Sequence, residues 1–101
     1  MLNRYKVSIS PQAYRELDYI FAYIKNEFKS IDTAASIFLS LEEAILSLAE
    51  MPQRGAERKS GAYAYRGYRQ LFVKNYTIIY RIDEEIKEVL IVTIRYAHSE
   101  F

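Results

Sequence analysis

The stretch Arg69-Gln70-Leu71-Phe72-Val73-Lys74-Asn75-Tyr76-Thr77-Ile78-Ile79-Tyr80-Arg81-Ile82 decides the fold. Its apolar residues recur at every second position on either side of Lys74-Asn75, the period of an extended chain. Residues 69–74 and 76–82 therefore read as two strands joined by a tight turn. The polar run Asp83-Glu84-Glu85 makes the next turn, and Val89-Leu90-Ile91-Val92-Thr93-Ile94-Arg95-Tyr96 makes a third strand. Strands joined so closely pair antiparallel.

Before this region the period changes. Tyr5, Val7 and Ile9 alternate with polar residues as a short N-terminal strand. Ser10 then suits a helix N-cap, and Pro11 the first helical position, where its missing N–H costs nothing. Ala13, Leu17, Ile20, Ile24 and Phe28 recur at helical spacing, widened by Tyr14 and Phe21. A polar link, Lys29 to Asp32, leads to a second stripe of Ala34, Phe38, Leu41, Ile45 and Leu48. Asp32 is the expected N-cap, and Pro52 ends the segment. Two long helices with so short a link pack as a hairpin. Residues 53–65 read as a loop. The expectation is an α+β fold: N-terminal strand, long helical hairpin, then three antiparallel strands, with the helices on one face of a small antiparallel sheet.

The chain has 101 residues, the size of a single domain spanning 1–101. It has no Cys and one His, so disulfides, a Cys nucleophile and a Cys/His zinc site are excluded. No metal or cofactor is expected. No stretch has the roughly 18 apolar residues of a membrane span, and the first residues have no signal-peptide core, so a cytoplasmic protein without membrane contact is expected.

Strict alternation assigns the sheet's two faces. Val7, Ile9, Leu71, Val73, Tyr76, Ile78, Tyr80, Ile82, Leu90, Val92 and Ile94 would face the helices. Phe72, Lys74, Thr77, Ile79, Arg81, Ile91, Thr93 and Arg95 would lie on an open face, apolar and cationic without an acid. An uncovered patch of that kind marks a binding surface. Charge is also uneven. Residues 53–70 hold Arg54, Arg58, Lys59, Arg66 and Arg69 against Glu57 alone, a net +4 within a chain of net +1. Tyr63, Tyr65 and Tyr68 interleave with them, a composition that suits stacked bases and phosphates or an acidic protein segment. No nucleophile elbow, Walker loop or dinucleotide fingerprint is present. RNA cleavage needs no cofactor, only an acid, a base and cations for the transition state; Lys74, Arg81, Arg95 and His98 are the residues able to supply them.

The run Arg69-x-Leu71-x-Val73-x-x-Tyr76-x-Ile78-x-Tyr80 and the ending Ile94-Arg95-x-x-His98 resemble the RelE/ParE superfamily of bacterial toxins. So do Ser10-Pro11-x-Ala13, Leu17 with Ile20 and Tyr23-Ile24, and Leu48-x-x-Met51-Pro52. The resemblance implies the toxin of a type II toxin–antitoxin pair, of the plasmid-stabilisation kind. An antitoxin segment would wrap around it, and promoter DNA would be met only through the antitoxin complex. RelE-like members cleave messenger RNA on the ribosome; ParE-like members poison DNA gyrase. Where the ribonuclease members usually read Arg-Leu-Val-Tyr, this chain reads Thr77-Ile78-Ile79-Tyr80, and a Thr supplies no charge to a transition state. The long hairpin and the Arg95-x-x-His98 ending are similar to the ParE branch, although the basic tail usual there is missing. The leading expectation is thus a ParE-like toxin that acts by binding. A RelE-like ribonuclease is the first alternative, and a degenerate member that only binds its antitoxin is the second. Contacts are expected at Tyr19, Tyr23, Arg66, Tyr68, Arg69, Phe72, Ile79, Arg81, Ile91 and Arg95, with an amphipathic antitoxin helix crossing Tyr19 and Tyr23 and continuing over the open sheet face.

Overall fold

In a computed structural model, residues 4–27 and 30–97 are described in full, with only the backbone of Phe28. His98, Lys29 and the side chain of Phe28, all named above, lie outside the described residues. Strand β1 (Lys6–Ile9) leads into helix α1 (Pro11–Phe28) and helix α2 (Ile31–Ser47). There follow β2 (Ala56–Glu57), a 3-10 turn (Gly61–Tyr63), β3 (Tyr68–Val73), β4 (Tyr76–Asp83) and β5 (Glu88–Tyr96). The strands form one sheet in the order β1-β5-β4-β3-β2. The helical hairpin packs on one face of it, as the pattern predicts, around Leu17, Ile20, Ile24, Leu41, Ile45, Ile78 and Tyr80.

The helix starts are set by short side chains. The Ser10 hydroxyl accepts from the Ala13 amide at 3.0 Å and donates to the Val92 carbonyl at 2.8 Å, so one residue caps α1 and ties it to β5. Helix α2 is capped by Ser30, not by Asp32: the Thr33 amide donates to Ser30 Oγ at 3.2 Å. Asp32 instead lies within the first turn, where a carboxylate suits the helix dipole.

The sheet differs from the expected antiparallel, strictly alternating one in three ways. First, β1 pairs parallel to β5, since the hairpin carries the chain away before it returns to that edge. Second, the expected loop contains the two-residue β2, antiparallel to β3 through Ala56–Gln70 and Glu57–Arg69. Two residues are too few to show a period. Third, β5 carries a bulge. Ile79 pairs with Thr93 and the next residue, Tyr80, pairs with Ile91, leaving Val92 as the extra residue. The bulge inverts parity along β5. Val89 and Ile91 face the helices together with Ile94, in place of the expected Leu90, Val92 and Ile94. Ile91 is therefore core, not part of an open face: it is 0% exposed within the main cluster. Ile79 does point to the outer face but is also 0% exposed, and Thr77 and Thr93 beside it are buried.

Candidate binding groove

Helix α1 sends two rows of side chains toward the far end of the sheet. Residues i, i+3 and i+4 share a helix face, so Glu16, Tyr19, Ile20, Tyr23 and Ile24 form one wall. The β3–β4 turn and the end of β5 form the other, with Lys74, Tyr76, Ile94, Arg95 and Tyr96. Between them lies a groove of about 1000 Å³. Tyr19 and Tyr23 are 70% and 49% exposed, and their rings stand nearly parallel with centroids 6.3 Å apart. Tyr76 is buried on the floor and meets the Tyr96 ring edge-on at 5.9 Å. Burial, and then the neighbouring Tyr23 and Tyr96 hydroxyls, push the Tyr76 phenol above its ordinary value.

One carboxylate organises the groove's inner edge. Strand β1 stops at Ile9, so β5 beyond Ile91 has no strand on that side. Glu16 takes its place. It accepts from the Ile94 amide at 3.0 Å and from the Thr93 hydroxyl at 2.7 Å, while Arg95 Nε stands 3.6 Å away. Arg95 Nε also donates to Thr93 Oγ1 at 3.2 Å. The bulge makes this contact available, because without the extra Val92 the residues after it would show the opposite face. The result is an arginine held at the rim of an apolar groove, its side chain still 37% exposed.

The other cations are used differently. Arg58, within the expected loop, is 8% exposed and donates to Gln70 Oε1 and to the Ser60 carbonyl, at 2.7 and 2.9 Å. Arg69 donates to the Gly55 and Gln53 carbonyls, and Arg54 to Ser47 Oγ. Tyr68 stacks edge-on against Tyr63 at 5.0 Å. The basic segment thus holds itself together. Arg66, Phe72 and Arg81 remain exposed, as expected. Tyr80, 0% exposed, donates its hydroxyl to the Pro52 carbonyl at 2.7 Å and accepts from the Gly55 amide at 2.9 Å. A side chain at Gly55 would collide with the Gln70 carbonyl and with that hydroxyl.

Of the residues offered for RNA cleavage, His98 lies outside the described residues, and the other three do not all share one site. Lys74 and Arg95 both border the groove. Arg81, however, lies four residues along β4 from Thr77, the cross-strand neighbour of Arg95, which at 3.3 Å per residue is about 13 Å away. Thr77 is buried, 1% exposed. Among the described residues no three of His, Asp and Glu come together to hold a metal ion, and no helix is long and apolar enough to cross a membrane.

Of the expected contact residues, the structure brings Tyr19, Tyr23 and Arg95 into one groove, withdraws Ile79 and Ile91 into the packing, and ties the half-buried Arg69 to loop carbonyls. Glu16, Tyr76 and Tyr96 were missed as members of the site. Their alternation and helical phase match ordinary core and surface positions, so only the pairing of β5 against α1 distinguishes them.

Residues 7–101 match the family model described as the ParE toxin of the type II toxin–antitoxin system parDE, and the chain belongs to that family. No curated protein matches the sequence. Among solved structures the chain is similar to the chromosomal ParDE toxin–antitoxin system of P. aeruginosa. There the TM-score is 0.77 at 19% identity, with 95% of this chain and 99% of that one covered. It is also similar to the RelBE2 toxin–antitoxin complex of Mycobacterium tuberculosis, with TM-score 0.63, 22% identity, and 92% and 98% covered. A YoeB/ParE toxin from Agrobacterium tumefaciens gives 0.63 at 15% identity, with 90% and 96% covered. At such identities the likeness is one of fold.

Proposed function

We propose that this chain is the growth-arresting toxin of its pair, held inactive in the cytoplasm by a cognate antitoxin, and that it acts by binding DNA gyrase without breaking a bond itself. The observation that carries the reading is the dispersal of its cations. Acid–base cleavage of a phosphodiester needs donors converging on one phosphate. Here Thr77 is buried where a nuclease would offer a charge, and Arg81 lies four residues along β4 from Thr77, the cross-strand neighbour of Arg95. What remains is a shaped, aromatic, partly cationic surface suited to a protein partner. Two of the similar solved structures are described as toxin–antitoxin systems or complexes, which supports an antitoxin as the first partner of this chain too. Promoter DNA would then be reached only through that complex.

The test is induction of the chain without antitoxin. Growth should stop with DNA-damage signalling and gyrase trapped on DNA, and antitoxin co-expression should restore growth. Arrest with intact DNA and codon-specific messenger cleavage would overturn the gyrase reading in favour of a ribosome-dependent ribonuclease. No arrest at all would leave a chain that only binds its antitoxin.

A further inference from the structure

We infer that the outer face of the helical hairpin, on the side of α1 away from the groove, is a second docking surface. Its occupant is a protein helix that carries apolar residues together with a Lys or Arg, and this cation enters a pit between Asp18 and Glu42. The inference stands apart from the groove and does not rest on the toxin reading.

Helical phase builds the surface. Tyr14, Asp18, Phe21 and Lys25 recur at i, i+4, i+7 and i+11 of α1, and Ile31, Phe38, Glu42 and Leu46 recur in the same phase on α2. The two rows meet where the Phe21 and Phe38 rings stand edge-on, with centroids 5.9 Å apart. Tyr14, Ile31, Leu39 and Leu46 are 60%, 62%, 53% and 60% exposed. None of these four is needed to cover the sheet, because Ala34, Leu41, Ile45 and Leu48 form a separate, buried stripe for that. Helix α2 thus has two apolar faces where packing within this chain uses one, and the spare face marks a contact surface.

Between the rows lies a pit of about 190 Å³. Buried Leu17 and Ile45 line its depth with half-buried Phe38, and exposed Tyr14, Asp18 and Glu42 stand at its rim. The pit is smaller than the roughly 300 Å³ at which small-molecule pockets begin, and it suits a single side chain. A Lys or Arg satisfies both of its ends. The alkyl stem lies on the apolar wall, and the charged head reaches the two carboxylates and the Tyr14 ring. Among the described residues neither Asp18 nor Glu42 is in an ion pair.

Charge selects the occupant. The face carries Asp18, Glu42 and Glu43 against Lys25, and α2 has no cation from Ile31 to Ser47. A second copy docked by two-fold symmetry would set these carboxylates against their own copies. Nucleic acid and anionic lipid are repelled for the same reason. A basic helix with an apolar stripe neutralises the rim and covers Leu39 and Leu46.

The first test uses the full chain and a synthetic helix of about 18 residues, long enough to hold its shape when bound, built from Leu and Lys. A Leu/Glu helix of the same pattern is its counterpart, and fluorescence anisotropy reads both. The Leu/Lys helix should bind at low salt and the Leu/Glu helix should not. Asp18→Lys with Glu42→Lys should weaken binding by at least about tenfold. Asp18→Asn with Glu42→Gln keeps the shape and should give part of that loss, with an unchanged urea midpoint. Equal binding of the two helices, or binding indifferent to both double variants, would overturn the inference. The second test is photo-cross-linking in cells from Leu46→p-benzoylphenylalanine, with the linked segment sequenced by mass spectrometry. The link should fall on a segment in which Lys or Arg stands among apolar residues at helical spacing. A link to a second copy of this chain, to lipid or to an Asp/Glu-rich segment, or no link, would overturn it.

Discussion

Two regions of this molecule combine tyrosines with cations, and they come to opposite ends. The segment 53–70 has the denser charge. Its Arg58 and Arg69 donate to carbonyls and to Gln70, Arg54 reaches Ser47, and Tyr63 packs on Tyr68. The groove beside α1 is sparser in sequence, yet it keeps Tyr19 and Tyr23 exposed and Arg95 at its rim. Charge and aromatics in sequence thus count for less than where the donors end. An arginine that satisfies its own loop is part of the scaffold; one oriented by a neighbouring carboxylate at an open groove is available for recognition.

The largest expected effect separates the two regions directly. Tyr19→Ala with Tyr23→Ala should reduce antitoxin affinity by about 2–4 kcal/mol, the range of aromatic interface anchors. Phe72→Ala should cost under about 1 kcal/mol. Titration calorimetry of both variants measures this, and equal losses would erase the distinction.

Next comes the scaffold. Arg58→Ala leaves Gln70 and the Ser60 carbonyl without their donor, and Tyr80→Phe leaves the Pro52 carbonyl without its donor and the Gly55 amide without its acceptor. Each should lower unfolding stability by about 1–3 kcal/mol, read from urea midpoints, with antitoxin affinity unchanged in the surviving folded fraction. A stable Arg58→Ala that fails to bind would move this arginine into the interface.

Glu16→Gln keeps the shape but removes the charge that faces Arg95 and the β5 edge. A stability loss of about 1 kcal/mol is expected, together with a changed salt dependence of antitoxin binding. An unaltered salt dependence would show that Arg95 needs no such holder.

The smallest effect concerns alkaline pH. The Tyr76 phenol is raised above its ordinary 10.0 by burial first and then by Tyr23 and Tyr96. The unfolded chain therefore loses this proton before the folded one does. Its contribution is intact below pH 10.0 and is lost as pH rises toward the higher folded value. Tyr76→Phe should flatten that alkaline decline in a pH series of thermal midpoints; an unchanged slope would mean the floor of the groove is wetter than its burial indicates.

Much of the fold was legible locally. The helices were readable from Leu17, Ile20, Ile24 and from Leu41, Ile45, Leu48, because a 3.6-residue stripe needs no distant information. The Ser10-Pro11 start and the turn at Lys74-Asn75 were readable from residue chemistry alone. The candidate site was half legible. Tyr19 and Tyr23 stood out as aromatics beside a core stripe, and Arg95 as a cation at the end of a strand.

The sequence by itself determined the order of the two helices and four longer strands, the helical hairpin, the β3–β4–β5 meander and the lack of any cysteine chemistry, since each follows from local period or composition. Tertiary structure alone decided which face of β5 is which, since a one-residue bulge at Val92 inverts parity without disturbing the apolar count. It also decided that Ile91 is core, that β2 exists, and that Glu16, from α1, closes the edge of a strand 77 residues away. Those outcomes depend on backbone groups finding partners across the fold, and a pairing between distant segments leaves no trace in the spacing of either one.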